Sequence, residues 1–194
     1  MGAIEISLGT LLVLLLVTSF VKMLTALSIL RYGLGLQAAG FGIVILALSL
    51  ALALVANREQ FAAFGGPLAV IAGKASVDAA KVEEQFGPFL DRHTSPEIVT
   101  KLNGVAGLPK NANSPDFAMK IAGFLLTELS QALQIGLLLL IPFVVIDLLV
   151  VVGMALLGVP QMSPAVIGLP IKLLIFLGAD GWTLISVKLL GSYQ

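Results

Sequence analysis

Ionisable side chains interrupt the longest apolar stretch of this sequence, and they limit what the chain can fold into. The stretch runs from residue 121 to the C-terminus and contains Glu128, Asp147 and Lys172 among mainly aliphatic residues. A charged side chain at membrane depth costs about 2.5–3.5 kcal/mol even on translocon-insertion scales, so such a group is usually paired and functional. The pattern therefore indicates an assembled membrane machine rather than a set of lipid anchors.

The composition agrees with a membrane location and disfavours several classes of function. Hydrophobic residues make up 58% of the chain and charged residues 11%, whereas soluble proteins average about 25% charged residues. The net charge is zero and the basic residues are scattered, so no nucleic-acid footprint is predicted. There is no cysteine and a single histidine, His93, which excludes thiol chemistry and disfavours a metal site.

No catalytic motif is present. Gly33, Gly35 and Gly40 lack the spacing of a dinucleotide-binding loop, and no phosphate-binding loop, nucleophile elbow or metal-binding helix motif occurs. The sequence therefore predicts a protein that is not an enzyme and binds no cofactor or metal.

Three apolar blocks cover residues 6–30, 41–56 and 121–194. A membrane-spanning helix needs about 20 apolar residues, so the first block is ample and the second is marginal. We interpret the first block as a retained membrane helix; the alternative is a mature N-terminus from which a signal peptide has been removed. The blocks predict an all-α membrane protein of long kinked helices and helical hairpins.

A polar insertion separates the second and third blocks and divides the chain into three regions. Residues 1–56 are predicted to be N-terminal membrane helices, 57–117 a small helical domain and 118–194 membrane or gate helices. Arg31, in a glycine-rich turn, places that turn in the cytoplasm by the positive-inside rule, which makes the insertion extracytoplasmic. Apolar residues available for its core are Val77, Val82, Phe86, Phe89, Leu90, Ile98 and Leu102.

Turn and cap signals mark the ends of helices in the insertion. Gly65 and Pro67 separate it from the second block, Ser95 and Pro96 begin a helix, and Gly104 ends that helix. These signals predict short helices joined by turns.

Prolines divide the third block. Pro142 predicts either a hairpin or one tilted span. Residues 158–170 contain Pro160, Pro164 and Pro170, so a regular helix is not expected there. Non-helical backbone at membrane depth is tolerated where it is buried in protein or lines an aqueous cavity. The segment is therefore either a pore constriction or an ordinary surface connection.

Acids and bases are balanced between different apolar segments. Glu128 and Asp147 are opposed by Lys22 and Lys172, which predicts interhelical or intersubunit ion pairs. On one unbroken helix the two acids would lie about 28 Å apart, at about 1.5 Å per residue, which argues against acid–base catalysis by a carboxylate pair. A proton relay is the alternative to pairing, and the lack of visible inverted repeats favours pairing.

The sequence resembles the FliP/SctR family, the core export-gate subunit of flagellar and virulence-associated type III secretion systems. The segments that carry the resemblance are 19–22 (Ser-Phe-Val-Lys), 27–31, 34–37, 127–129 (Thr-Glu-Leu), 134–136, 141–148 (Ile-Pro-Phe-Val-Val-Ile-Asp-Leu), 163–164, 169–172 (Leu-Pro-Ile-Lys) and 180–182 (Asp-Gly-Trp). They cover nearly the whole chain outside the insertion.

The resemblance implies a pore-forming subunit of the bacterial inner membrane that conducts unfolded secreted proteins, within the secretion or flagellar basal body. It implies copies of the chain itself, usually five, together with FliQ/SctS-like and FliR/SctT-like gate subunits and an FlhB/SctU-like switch subunit. A methionine-rich loop acts as a gasket in the family; the matching positions here are Val159, Pro160, Gln161 and Met162. The alternative function is a proton-coupled transporter subunit that uses Glu128 or Asp147.

Overall fold

The computed structural model describes residues 8–71, 79–105, 117–159 and 162–193, and within these ranges the chain is helical without a strand. The helices are α1 (Leu8–Val17), α2 (Phe20–Leu34), α3 (Ala39–Ala56), α4 (Arg58–Ala62), α5 (Pro67–Ile71), α6 (Ala79–His93), α7 (Pro96–Val105), α8 (Phe117–Leu156), α9 (Pro164–Gly178) and α10 (Gly181–Gly191). Among them α3 and α8 are long and apolar enough to cross a membrane, and α9 with α10 is a third candidate, as a broken span. The predicted all-α membrane fold is confirmed.

The chain divides into two compact units. The first comprises Met1–Lys22 and Leu50–Gln131, and the second comprises Met23–Ser49 and Ala132–Gln194. Helices α2, α3 and α8 therefore contribute residues to both units. The insertion at 57–117 falls within the first unit beside α1, and its role as a separate extracytoplasmic domain stays a prediction.

The first apolar block forms two helices rather than the one membrane helix that we expected. The chain leaves the helix at Thr18 and Ser19, both buried. Thr18 donates its hydroxyl to the carbonyl of Leu15 at 3.3 Å, and Ser19 accepts a hydrogen bond from Asn57 Nδ2 at 3.0 Å. Hydroxyl side chains that bond to nearby backbone compete with the helical pattern, which accounts for the break.

The insertion is helical, and α6 supplies most of its buried apolar surface. Val82, Phe86, Phe89 and Leu90 are buried as predicted. No residue of α7 is fully buried, so Ile98 and Leu102 contribute only half-buried surface. Val77 lies outside the described residues.

The turn and cap signals of the insertion are largely confirmed. Gly65 and Gly66 adopt φ of 84° and 95°, a left-handed turn that favours glycine, directly before Pro67 begins α5. Pro96 is the first residue of α7, where the backbone N–H that proline lacks would be unbonded in any case. Gly104 lies inside α7 (Pro96–Val105), so the predicted helix end at this glycine is wrong.

Two expectations for the third block are corrected. Helix α8 continues through Pro142 for 40 residues, so the hairpin alternative does not apply. Residues 158–170 are not non-helical throughout, because α9 begins at Pro164 and continues through Pro170. Pro164 occupies the first helical position, which tolerates proline, and Pro170 removes a single backbone hydrogen bond without ending the helix.

The C-terminal segment bends sharply between α9 and α10. The helix axes differ by 62°. Asp180 adopts φ of 49° at the bend, and a Cβ on Gly181 would overlap the ring of Phe176. Phe176 in turn packs edge-on against Trp182, with ring centroids 5.0 Å apart. The bend is therefore fixed by a backbone conformation and by an aromatic contact that requires glycine.

Candidate functional site: two lysine–carboxylate pairs

The first unit contains a charge pair that is almost completely buried. Lys22 and Glu128 are each 1% exposed, and Lys22 Nζ lies 3.6 Å from Glu128 Oε1. The same ammonium group donates to Gln131 Oε1 at 2.6 Å. Glu128 and Gln131 are one turn apart on α8, so a single helix face presents both acceptors to Lys22.

The second unit contains the other pair, in a more open setting. Lys172 Nζ lies 2.6 Å from Asp147 Oδ2, and it also donates to the carbonyl oxygen of Gly33 at 3.0 Å. The Lys172 side chain is 8% exposed, whereas that of Asp147 is 50% exposed. The ammonium is thus held inside the unit while one edge of its carboxylate partner faces outward.

The four ionisable residues named by the sequence therefore meet as two pairs between helices of one chain. Each acid lies against a lysine, and each lysine also donates a hydrogen bond to an oxygen of another residue. Charges that are paired and hydrogen bonded can remain ionised inside a protein. A contact of these residues with a second copy of the chain stays a prediction.

Sequence reasoning did not assign roles to several residues that hold these elements together. Gln131 and the Gly33 carbonyl complete the lysine environments. Asn57 joins the α1–α2 break to the end of α3, since Nδ2 donates to both Ser19 and the Ala53 carbonyl. Gln131 could have been found from its position three residues after Glu128, whereas the Gly33 carbonyl has no sequence signal.

The loop positions matched to the gasket are only partly described. Val159 is 40% and Met162 48% exposed, so both side chains are available for contact. Pro160 and Gln161 lie outside the described residues. Within the described part of the chain, no group of three or more metal-ligating side chains comes together.

These observations define a class: an all-α membrane protein whose interior charges pair helices with one another. A model of the FliP family matches residues 5–189. The harpin secretion protein HrpW of Pseudomonas syringae pv. syringae is 34% identical over 193 residues, which covers 93% of each chain. The flagellar biosynthetic protein FliP of Bacillus subtilis is 30% identical, covering 93% of this chain and 85% of that protein. The harpin secretion protein HrcR of Erwinia amylovora is 32% identical, with 91% and 87% covered.

The chain belongs to the FliP family. It is a membrane component of the type III secretion export apparatus, in either its flagellar or its injectisome form. The family is a structural part of the export gate and not a family of enzymes.

Proposed function

We propose that this chain is a core pore-forming subunit of the export gate, which conducts unfolded proteins across the bacterial inner membrane. Copies of the chain, five by the family resemblance, assemble around a conduit with FliQ/SctS-like and FliR/SctT-like subunits. An FlhB/SctU-like switch subunit completes the gate. The chain lines the conduit and forms its constriction, and it catalyses no reaction.

The observation that carries this proposal is the length and exposure of α8. An ideal helix of 40 residues measures about 60 Å, roughly twice the thickness of about 30 Å of a bilayer's hydrocarbon core. Large apolar side chains are nevertheless exposed along it, at Leu126, Leu129, Leu133, Leu137, Leu138, Ile141, Val144, Val145, Leu148, Leu149, Val151, Val152 and Leu156. Lipid alone does not cover the exposed side chains of so long a helix at ordinary tilt, so we expect other protein chains to cover part of them.

The connection between α8 and α9 is the candidate constriction. Among the described residues of this connection, which joins two apolar helices, Leu157, Val159 and Met162 are exposed. Backbone of this kind is tolerated at membrane depth only against protein or water. Apolar side chains from several copies would close a conduit at rest and part around a passing chain.

The ion pairs favour this function over a proton-coupled transporter. Glu128 and Asp147 each lie against a lysine in the same unit, an arrangement that holds helices together without a requirement for proton transfer. The extracytoplasmic position of the insertion and the cytoplasmic position of Arg31 remain parts of the proposal.

Site-specific photo-crosslinking to a stalled cargo protein tests conduction. A photoreactive residue at Met162 should form an adduct with cargo arrested during export, because the loop surrounds the path of the chain. The control is Val105, a still more exposed apolar position at the end of α7, which should give no cargo adduct. Adducts from Val105 but none from Met162 would contradict the proposed constriction.

A further inference from the structure

The second unit contains a cavity that the proposed gate function leaves unexplained. It has a volume of about 550 Å³, within the range of about 300–1,000 Å³ for small-molecule sites. Five of its ten lining residues carry polar side chains: Tyr32, Gln37, Asp147, Ser163 and Lys172. All ten belong to the second unit.

Most of these polar groups have unused hydrogen-bonding capacity. Across the described residues, no side-chain partner is found for the Tyr32 hydroxyl, the Gln37 amide or Asp147 Oδ1. Ser163 precedes α9, but its hydroxyl makes no capping hydrogen bond. A carboxylate can accept about four hydrogen bonds, so Asp147 can keep Lys172 on Oδ2 and accept another donor on Oδ1.

The charge that the cavity presents is the carboxylate. Lys172 lines the cavity, but its side chain is 8% exposed and its ammonium is directed to Asp147 and the Gly33 carbonyl. Asp147 is 50% exposed. Arg31, in the last turn of α2, is not among the lining residues, and its guanidinium donates to the carbonyls of Leu36, Gln37 and Ala38. An anion in the cavity would be repelled by the Asp147 carboxylate, whereas a cationic donor would find hydrogen-bond acceptors there.

Gly168 clears the space in which Asp147 Oδ1 sits. A Cβ at position 168 would lie 3.2 Å from that oxygen, which is tighter than ordinary carbon–oxygen packing. A larger residue at position 168 would therefore crowd Asp147 Oδ1.

We propose that this cavity binds the guanidinium or ammonium group of a basic polypeptide side chain, with Asp147 Oδ1 as the charged acceptor. Tyr32, Gln37 and Ser163 supply neutral acceptors for the remaining N–H groups, since a guanidinium carries five donors. Charge-assisted hydrogen bonds of this kind are the strong ones available to such a group. The source of the cation, a polypeptide, rests on the proposed gate function. The binding of a cation in the cavity does not depend on that function.

Fluorine NMR on the full chain in lipid nanodiscs tests the site directly. The chain has two tyrosines, Tyr32 and Tyr193, so 3-fluorotyrosine labelling gives one probe in the cavity and one internal control. Titration with Nα-acetylargininamide should shift the Tyr32 resonance saturably and leave the Tyr193 resonance in place. The neutral isostere Nα-acetylcitrullinamide should produce at least tenfold weaker binding.

Variants separate the carboxylate from general effects. Asp147→Asn should weaken binding at least tenfold, and Gly168→Ala severalfold, because the added methyl group displaces Oδ1. Asp180→Asn is the matched control: it removes one negative charge from the same unit outside the cavity, and asparagine tolerates the left-handed backbone there. It should bind as the unaltered chain does.

Asp147→Asn leaves the buried Lys172 ammonium without its counter-ion. A second variant therefore controls for loss of binding through unfolding. Asp147→Asn with Lys172→Met removes both charges and should also lose binding. An equal response to the arginine and citrulline compounds, or unchanged binding in the double variant, would overturn the proposal. If binding is confirmed but Met162 never crosslinks to cargo, the gate function fails while the cation site stands.

Discussion

Lys22 shows how one charged side chain is accommodated inside an apolar unit. Its ammonium is nearly inaccessible, with Gln131 Oε1 at 2.6 Å and Glu128 Oε1 at 3.6 Å. Breaking a buried pair by removing one partner costs about 3–5 kcal/mol, whereas replacing both partners by apolar residues is often neutral. The pair is thus expected to determine which helices lie together more than to add net stability.

We therefore predict that Lys22→Met lowers the free energy of unfolding by about 3–5 kcal/mol, because Glu128 stays buried without the lysine that it lies against. Lys22→Met combined with Glu128→Leu should recover most of that loss. Reversible unfolding in mixed micelles, followed by circular dichroism, measures both. The matched control is Glu97→Gln with Lys101→Met on α7.

That control pair is closer than the Lys22–Glu128 pair but exposed, with Nζ 2.7 Å from Oε1 and side chains 74% and 75% exposed. A hydrogen bond from Lys101 lowers the pKa of Glu97, yet exposed pairs of this kind add little stability. Its removal should leave unfolding unchanged. A double variant at Lys22 and Glu128 as unstable as Lys22→Met alone would contradict the pairing account. A stable, assembled Glu128→Gln chain that no longer exports would favour a proton relay instead.

At the scale of helices, Gly136 determines how closely α8 approaches α2 within the second unit. A Cβ at this position would overlap the Ile29 side chain, lying 3.0 Å from its Cβ and 3.1 Å from its Cγ2. The backbone fixes the position of the Ile29 Cβ, and Cγ2 can move only by a change of χ1, which a helix restricts for isoleucine. The helix contact therefore depends on glycine at position 136.

We predict that Gly136→Ala destabilises the second unit by about 1–3 kcal/mol, as overpacking of a filled contact usually does. Gly153→Ala is the matched control on the same helix, because a Cβ there meets nothing within 4 Å. It should be neutral or stabilising, since alanine has the higher helix propensity. The same unfolding measurement applies. Ile29→Ala should restore part of the loss in Gly136→Ala, and a failure to do so would place the strain elsewhere.

The elements that the sequence predicted are those with a local cause. The apolar run of α3, the Gly65–Pro67 turn and the start of α7 at Pro96 follow from residue types and spacing alone. The break at Thr18 does not, because Ser19 is held by Asn57, 38 residues away in sequence. The sequence did not predict that α9 continues through Pro170, because three prolines within residues 158–170 indicated a break. Pro170 removes only one backbone hydrogen bond, and the helix continues past it.

For the whole molecule, the identity of the paired residues was predictable but their partners were not. Charges inside apolar segments are visible in the sequence, since each carries a cost that must be offset. Which lysine meets which acid depends on helix packing, and so do the Gly33 carbonyl acceptor and the cavity beside Asp147. The prediction that the chain assembles with copies of itself came from the family resemblance, because no single residue indicates it.

The exposed apolar surface of α8 leads to a prediction about assembly. Leu126, Leu137, Leu148 and Leu156 are exposed and distributed along the helix. If lipid covers one stretch of the helix and neighbouring subunits another, then aspartate at single positions should produce two different defects. In the lipid-covered stretch it should reduce membrane insertion, because a carboxylate in hydrocarbon is costly. In the protein-covered stretch it should leave insertion intact and reduce the native mass of the complex.

Insertion assays and native mass spectrometry of the purified complexes distinguish these defects position by position. Val105→Asp, on the exposed end of α7, is the control that should affect neither measurement. We expect at least one of the four leucine positions to give the assembly defect, because a helix of about 60 Å exceeds what about 30 Å of hydrocarbon can cover. If all four variants insert normally and retain the native mass, neither lipid nor another chain covers α8, and the gate proposal loses its physical basis.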